Sequence, residues 1–153
     1  MFKTLLLVLL ALACAFTAYL FWQAGNSADQ PNPDPTMTEL KPCPDKPNCV
    51  STQATQADKK RDPIAYTGSR DEAKTKLLRL LDDTPRTIRV SAEGNYVHYT
   101  FKTWPIPFTD DVEFLFDDAA KVIHYRSASR VGHSDLGVNS KRMAKLVDAY
   151  AAD

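Results

Sequence analysis

The side chains best suited to chemistry are concentrated between Asp110 and Arg142, in the run DDVEFLFDDAAKVIHYRSASRVGHSDLGVNSKR. Carboxylates, guanidinium groups, hydroxyls and amides follow one another closely there. Guanidinium groups bind carboxylates and phosphates through paired N–H donors, and neighbouring carboxylates can hold them in place. We therefore take this stretch as the candidate site. The candidate ligand-binding residues are Asp110, Asp111, Glu113, His124, Arg126, Ser127, Ser129, Arg130, Asp135, Asn139 and Arg142.

Two strands joined by a tight turn are predicted to carry the first half of this site. Apolar and polar residues alternate over 111–117 and over 121–129, with a turn-like segment between them. The apolar side chains must share one face, which permits two registers. In one register Asp111 lies opposite Arg126, and in the other Glu113 does. The pair is either a simple cross-strand ion pair or part of an anion-binding or acid–base cluster.

A shaped loop and a helix are predicted to carry the second half. Residues 127–139 are rich in glycine, serine, aspartate and asparagine, which indicates a loop. Asn139 is a plausible N-cap of the helix that follows, and a helix N-terminus close to arginines can hold an anion. The alternative is that Asn139 only caps, Asp135 only fixes the turn and the arginines are solvated. The apolar stripe of the helix is formed by Met143, Leu146, Val147 and Tyr150.

These motifs resemble a known family. The runs DDVEF and RSASRVGHSDLGVNSKR, together with the earlier CPDKPNCVST, are similar to the Domain of Unknown Function 1499 family, over residues 40–148. The family has no established activity, so the resemblance marks positions without assigning roles to them. The marked positions are Cys43, Cys49, Asp110, Asp111, Glu113, Arg126, Ser127, Ser129, Arg130, Asp135, Gly137, Asn139 and Arg142.

The N-terminal segment, residues 1–22, is predicted to be a transmembrane anchor or a signal. Its uncharged run would form a helix about 28 Å long, close to the hydrocarbon thickness of a bilayer. Lys3 precedes this run and acidic residues follow it, which places the rest of a single-pass cell-membrane protein on the extracytoplasmic, periplasmic side. The alternatives are a lipoprotein modified at Cys14 and a cleaved signal that leaves a secreted protein. Residues 23–41, rich in proline, are predicted to be a flexible linker.

The remaining chain, residues 42–153, is predicted to be one globular domain. Cys43 and Cys49 lie close together, and outside the cytoplasm a structural disulfide is the first expectation. Free reactive thiols and a metal site are the alternatives, although two thiols alone do not complete a tetrahedral site. We expect neither a metal nor a cofactor.

A helix and two more strands are predicted between the cysteines and the candidate site. The helix at residues 69–83 opens with a capping box formed by Ser69 and Glu72. Its apolar stripe is formed by Ala73, Leu77, Leu80 and Leu81. Residues 87–93 and 95–103 alternate in polarity, which predicts strands. The residues expected to face inward are Ile88, Val90, Ala92, Val97, Tyr99 and Phe101.

Together these elements predict an α+β fold: an antiparallel four-stranded sheet with two helices packed on one face. The aromatic, proline-containing loop 104–109 is either the wall of a pocket or a plug over the core. The other face of the sheet is expected to be ionic. It would carry His98, Lys102, Glu113, His124 and Arg126.

Three function hypotheses remain open. The first is an extracytoplasmic domain that binds an anionic lipid headgroup, envelope glycan or phosphorylated metabolite. The second is a structural or assembly partner of another envelope protein, and the third is a hydrolase-type enzyme with Glu113 or His124 as the base. The formal net charge is zero, so nothing points to nucleic acid. The membrane is the expected partner of the N-terminal helix.

Overall fold

Strand alternation and short turns build one antiparallel sheet, and two helices cover one of its faces. The computed structural model describes residues 2–25 and 37–152. The elements in chain order are α1 (Phe2–Gly25), β1 (Cys49–Ser51), β2 (Ile64–Ala65), α2 (Arg70–Asp82), β3 (Thr87–Ser91), β4 (Tyr96–Lys102), β5 (Thr109–Asp117), β6 (Val122–Ser129) and α3 (Val138–Ala152). The predicted α+β class is confirmed.

The sheet has six strands rather than the predicted four. Its order is β1-β6-β5-β4-β3, and β2 pairs with β6 on the same side as β1. Strands β3 to β6 form the expected antiparallel meander. The sequence does not predict β1 and β2, because strands of three and two residues are too short to show an alternation. They make β6 a central strand, which buries most of its side chains.

Helices α2 and α3 pack on what we call the helix face of the sheet. The predicted capping box begins α2, where the Ser69 hydroxyl accepts from the Glu72 backbone N–H and the Glu72 carboxylate accepts from the Ser69 backbone N–H. The apolar stripes of both helices are buried against the strands, as predicted. This core includes Leu77, Leu81, Val97, Tyr99, Phe101, Val112, Phe114, Phe116, Ile123, Tyr125, Met143 and Tyr150.

The opposite face, which we call the outer face, is covered by the segment 37–48. Leu40 is buried against Tyr96 and Leu115, and Met37 packs beside them. The Cys43–Cys49 disulfide has formed, as predicted, and packs on Ala128. The packed domain therefore begins at least five residues before the predicted boundary at residue 42, within the segment 23–41 interpreted as linker. Residues 26–36 of that segment lie outside the described residues.

The prediction that Ile88 and Val90 face inward is wrong. These side chains are 60% and 41% exposed. Within the described residues β3 pairs only with β4, and a bulge between Arg89 and Ser91 shifts its register. Thr87 and Arg89 lie opposite Phe101 and Tyr99, which face the helices, whereas Ile88 lies opposite Thr100. The register of β3 therefore turns Ile88 away from the core, because opposite residues of paired strands share a face.

Helix α1 is exposed along nearly all of its length and continues to Gly25, three residues past the predicted end. It is 24 residues long, with a mean hydropathy of 2.4 in its most apolar window and no more than two charged residues there. Both a membrane span and an N-terminal signal sequence have these properties, because both contain an uncharged apolar segment that can form a helix.

Candidate functional site

The sheet divides the predicted site residues between its two faces. Successive residues of a strand point to opposite sides. Asp111 and Glu113 of β5 therefore reach the outer face with Arg126, whereas Asp110 reaches the helix face with Ser127 and Ser129. Arg126 and Arg130 bind carboxylates on the outer face and Arg142 binds Asp110 on the helix face, so these arginines do not gather at one helix N-terminus, the arrangement that the sequence left open.

Glu113 and Arg126 form a buried ion pair on the outer face. The structure selects the register in which Glu113 lies opposite Arg126, and Arg126 Nη1 donates to Glu113 Oε2 over 2.6 Å. The Tyr96 hydroxyl donates to the other carboxylate oxygen over 2.8 Å. Burial, followed by the nearby carboxylate, raises the pKa of Tyr96 far above its usual value, so the phenol keeps its proton. Glu113 is completely buried, and both oxygens are engaged. Such a carboxylate is poorly placed to act as a general base.

Asp111 forms the second ionic group of the outer face. Arg130 holds it with two parallel hydrogen bonds, from Nε to Oδ2 over 2.9 Å and from Nη2 to Oδ1 over 2.8 Å. His98 Nε2 lies 2.8 Å from Oδ1. Burial acts to raise the pKa of Asp111, but the hydrogen bonds from His98 and Arg130 outweigh it. The pKa therefore lies below its usual value, and the carboxylate stays ionised.

A cleft of about 350 Å³ opens between these arginines and the disulfide-closed loop, and we call it the outer cleft. Arg126 and Arg130 form its floor, and Lys41 and Lys46 line it from the covering segment. Asp111 is the carboxylate in its lining. Arg126 Nε is buried and makes no hydrogen bond to the residues that the structure describes. The lining of the outer cleft is therefore cationic, and one of its arginines keeps a buried donor with no acceptor among the described residues.

The helix face holds a separate polar network that joins α3 to the sheet. Arg142 donates to Asp110 Oδ2 over 2.6 Å and to Asn139 Oδ1 over 2.7 Å. The Ser127 hydroxyl donates to the same Asn139 oxygen over 2.5 Å, and Asn139 Nδ2 donates to Ser129 Oγ over 3.0 Å. Ser127 and Asn139 are completely buried. Their contacts fix the start of α3 against β6.

Asp110 is the buried carboxylate of this network. Burial raises its pKa, and the Arg142 guanidinium and the Ser129 hydroxyl nearby offset part of that effect. Its Oδ1 atom is buried and makes no hydrogen bond to the described residues. Asp110 therefore presents one paired and one unpaired oxygen, at the end of the sheet where β5 begins.

Asn139 is not the N-cap of the last helix, contrary to the prediction. Helix α3 begins at Val138, so Asn139 lies in its first turn and its side chain points into the network just described. Asp135 serves the helix start instead, accepting from the backbone N–H groups of Gly137 over 3.0 Å and of Asn139 over 2.7 Å. These backbone donors are already used, so the helix N-terminus does not need an external anion.

His124 lies apart from both clusters. It is half-buried on the outer face, and its Nδ1 is 3.1 Å from the Thr52 hydroxyl. It does not line the outer cleft. Sequence reasoning missed Lys41, Lys46 and Asn48, which do line it. The signal available was a pair of lysines flanking a cysteine, in a stretch whose prolines favour a linker interpretation.

Fold and site together define a class of protein: an α+β domain behind an N-terminal apolar helix, with a disulfide-closed loop laid over an ionic sheet face. The family model described as "Protein of unknown function (DUF1499)" matches residues 39–150, and the chain belongs to this family. The resemblance seen in the sequence motifs is thereby confirmed. No curated protein and no solved structure matches the chain.

Proposed function

We propose that this protein is a membrane-tethered, extracytoplasmic domain that binds a small, multiply charged anion in the outer cleft. The observation that carries the proposal is the charge of the lining. Lys41, Lys46, Arg126 and Arg130 line the cleft, against the carboxylate of Asp111 there and that of Glu113 bound to Arg126. The cations outnumber the carboxylates, so an anion is the ligand that balances the site.

Arg126 and Arg130 are fixed in position before a ligand binds. Asp111 accepts two hydrogen bonds from Arg130, and Glu113 accepts one from Arg126. These bonds hold both arginine side chains in one orientation. A guanidinium fixed by one carboxylate still presents N–H donors on its remaining edge, and the buried Nε of Arg126 is such a donor. Prior fixing lowers the entropy lost when a ligand binds. The acidic residues therefore act here as supports for the cations.

The size and chemistry of the cleft limit the ligand. Its volume of about 350 Å³ is at the small end of ligand sites, which commonly span about 300–1,000 Å³. Phosphate and carboxylate groups match arginine donors in pairs. A phosphorylated metabolite, the headgroup of an anionic lipid and an acidic envelope glycan share this chemistry, and the cleft would bind the anionic group of any of them.

The tethering and the compartment are inferred from helix α1 and from the disulfide. Helix α1 is long and apolar enough to remain in a bilayer as an anchor. The Cys43–Cys49 disulfide closes the wall of the cleft, and disulfides persist mainly in oxidising compartments. A cytoplasmic N-terminus and a periplasmic domain satisfy both observations, in a single-pass protein of the cell membrane.

Calorimetric titration of the full chain in an uncharged detergent tests the proposal, with inorganic pyrophosphate, citrate and glycerol phosphate as probes. We expect saturable binding of pyrophosphate at low salt that weakens as salt is added. The double variant Lys41→Ser/Lys46→Ser should bind about tenfold more weakly, because two exposed charges are lost from the lining. Lys141→Ser/Lys145→Ser removes two exposed lysines from α3, outside the cleft lining, and should leave the affinity unchanged.

The results that would contradict the proposal come from the same titration. Absence of heat with all three anions would show that the outer cleft does not bind anions. An equal loss of affinity in Lys141→Ser/Lys145→Ser would show that only overall charge matters. Glycerol phosphate binding as tightly as pyrophosphate would favour a lipid headgroup, whereas tighter binding of citrate would favour a carboxylate metabolite.

A further inference from the structure

A second cavity, of about 390 Å³, lies at the end of the sheet where β4 and β6 finish and β5 begins. We call it the apolar cavity. Loop residues Trp104, Ile106 and Phe108 line it from one side, and Val131 and Leu136 line it from the loop before α3. The loop 104–109 therefore forms the wall of a pocket, one of the two interpretations that its sequence allows.

The polar part of this cavity is acidic. Asp110 and Asp135 both line it, together with the Ser129 hydroxyl. Asp110 is 1% exposed, and its Oδ1 has no hydrogen-bond partner among the described residues. Leaving a buried acceptor without a donor is costly, and charged acceptors are the most costly. A ligand that brings a donor to Oδ1 removes that cost, while an anionic head would be repelled by the two carboxylates.

The mouth of the apolar cavity is exposed and apolar. Trp104 is 78% exposed and Leu136 is 86% exposed, which is unusual for two large apolar side chains on one rim. Leu20 and Gln23, from the last turns of α1, line the same cavity. If α1 spans the bilayer, the cavity lies at the membrane surface, where tryptophan is favoured.

We propose that the apolar cavity binds the polar end of a membrane amphiphile whose head is a hydrogen-bond donor without negative charge, a hydroxyl or an amine. The head donates to Asp110 Oδ1, and the hydrocarbon chain leaves between Trp104 and Leu136 toward the bilayer. This inference shares with the proposed function the retention of α1 in the membrane. It does not depend on the outer cleft, which lies on the other face of the sheet and prefers the opposite charge.

Tryptophan fluorescence provides a direct test. The chain has two tryptophans, so the Trp22→Phe variant leaves Trp104 as the sole reporter. This variant is placed in phosphatidylcholine vesicles, whose headgroups have no donor, and titrated with 1-dodecanol, dodecylamine or dodecyl methyl ether. We expect a saturable blue shift of Trp104 emission with the alcohol and the amine. Dodecyl methyl ether has the same hydrocarbon chain but no hydrogen-bond donor, so the blue shift should require about a tenfold higher concentration of it.

Two further variants separate binding from folding. In Asp110→Asn the amide can keep its bond to Arg142 only by turning its NH₂ group toward the cavity, so the response to dodecylamine should be lost while the alcohol, which can also accept, still binds. Leu136→Ser should weaken the response to both probes without touching the polar network. Ile88→Ser is the matched control, because Ile88 is also a large exposed apolar residue but lies on β3, outside the cavity lining.

Defined results would overturn this inference. Equal responses to the alcohol, the amine and the ether would show that the donor is irrelevant. No response to any of them, or an equal loss in Ile88→Ser and Leu136→Ser, would show that the cavity is not a site for amphiphiles. None of the three probes carries an anionic group, so their failure would leave pyrophosphate binding in the outer cleft unaffected, and the reverse also holds.

Discussion

Asp110 and Asp111 are neighbours in β5, yet their carboxylates lie on opposite faces of the sheet and bind different arginines. Asp110 is bound by Arg142 from α3, and Asp111 by Arg130 from the loop after β6. The alternation of a strand makes this division unavoidable. Two ion pairs on opposite faces therefore begin at adjacent residues, and Asp110 lines the apolar cavity whereas Asp111 lines the outer cleft.

The two carboxylates are predicted to titrate in opposite directions. Burial dominates at Asp110 and raises its pKa, whereas hydrogen bonds from His98 and Arg130 outweigh burial at Asp111 and lower its pKa. Carbon-13 NMR of the side-chain carboxyl groups, followed against pH, should show Asp110 titrating above about 3.9 and Asp111 below it. The signal lost in Asp110→Asn and the signal lost in Asp111→Asn assign the two carboxyl groups.

The free energy of unfolding should depend on pH as these two pKa shifts require. Asp111 contributes stability that is present above its unfolded pKa, about 3.9, and is lost as pH falls through its lower folded pKa. The raised pKa of Asp110 acts the other way: its contribution is present below about 3.9 and is lost as pH rises through the folded value. Urea unfolding of Asp111→Asn should therefore be less sensitive to acid than that of the unmodified chain. Equal acid sensitivity would contradict the assignment.

The buried Glu113–Arg126 pair should be costly to break from one side. Replacing either partner leaves the other charge uncompensated in the interior, at a cost of about 3–5 kcal/mol. We expect this loss for Glu113→Gln and for Arg126→Met in urea unfolding. The double variant should lose much less unfolding free energy than the sum of the two single losses. Strict additivity would show that the pair is not coupled in the folded protein.

The Cys43–Cys49 disulfide should support both the fold and the outer cleft. Closing a loop of this length, with a sequence separation of six, contributes about 2–3 kcal/mol in the chain-entropy description. The variant Cys43→Ser/Cys49→Ser should lose that stability and bind pyrophosphate more weakly, because Lys41 and Lys46 are then no longer held over the arginines. Cys14→Ser, which removes the exposed free cysteine, should change neither quantity. A double variant with full affinity would show that the loop does not shape the cleft.

The local features of the sequence predict much of this structure. The alternation in β5 and β6 predicts the hairpin and limits the partner of Arg126 to one of two carboxylates. The capping box at Ser69 and the apolar stripes predict both domain helices. Short-range periodicity and capping are enough for these features, because each depends on side chains only a few residues apart.

Features that depend on contacts distant in the chain are not predictable in the same way. The proline-containing segment around Lys41 has the composition of a linker, and only its packing on Tyr96 and Leu115 makes it a wall of the cleft. Asn139 and Asp135 are both suitable caps by residue type, and the choice between them depends on the buried partners offered by Ser127 and Arg142. The bulge in β3 leaves no sequence signal either.

The most direct test of the central claim, that the outer cleft binds anions through its arginines, is an NMR titration of arginine Nε–H signals. The full chain, labelled with nitrogen-15 arginine and held in an uncharged detergent, is titrated with inorganic pyrophosphate. The signals of Arg126 and Arg130 should shift and saturate together, while that of Arg142, on the helix face, stays in place. A shift of Arg142 with Arg126 and Arg130 unmoved would contradict the account.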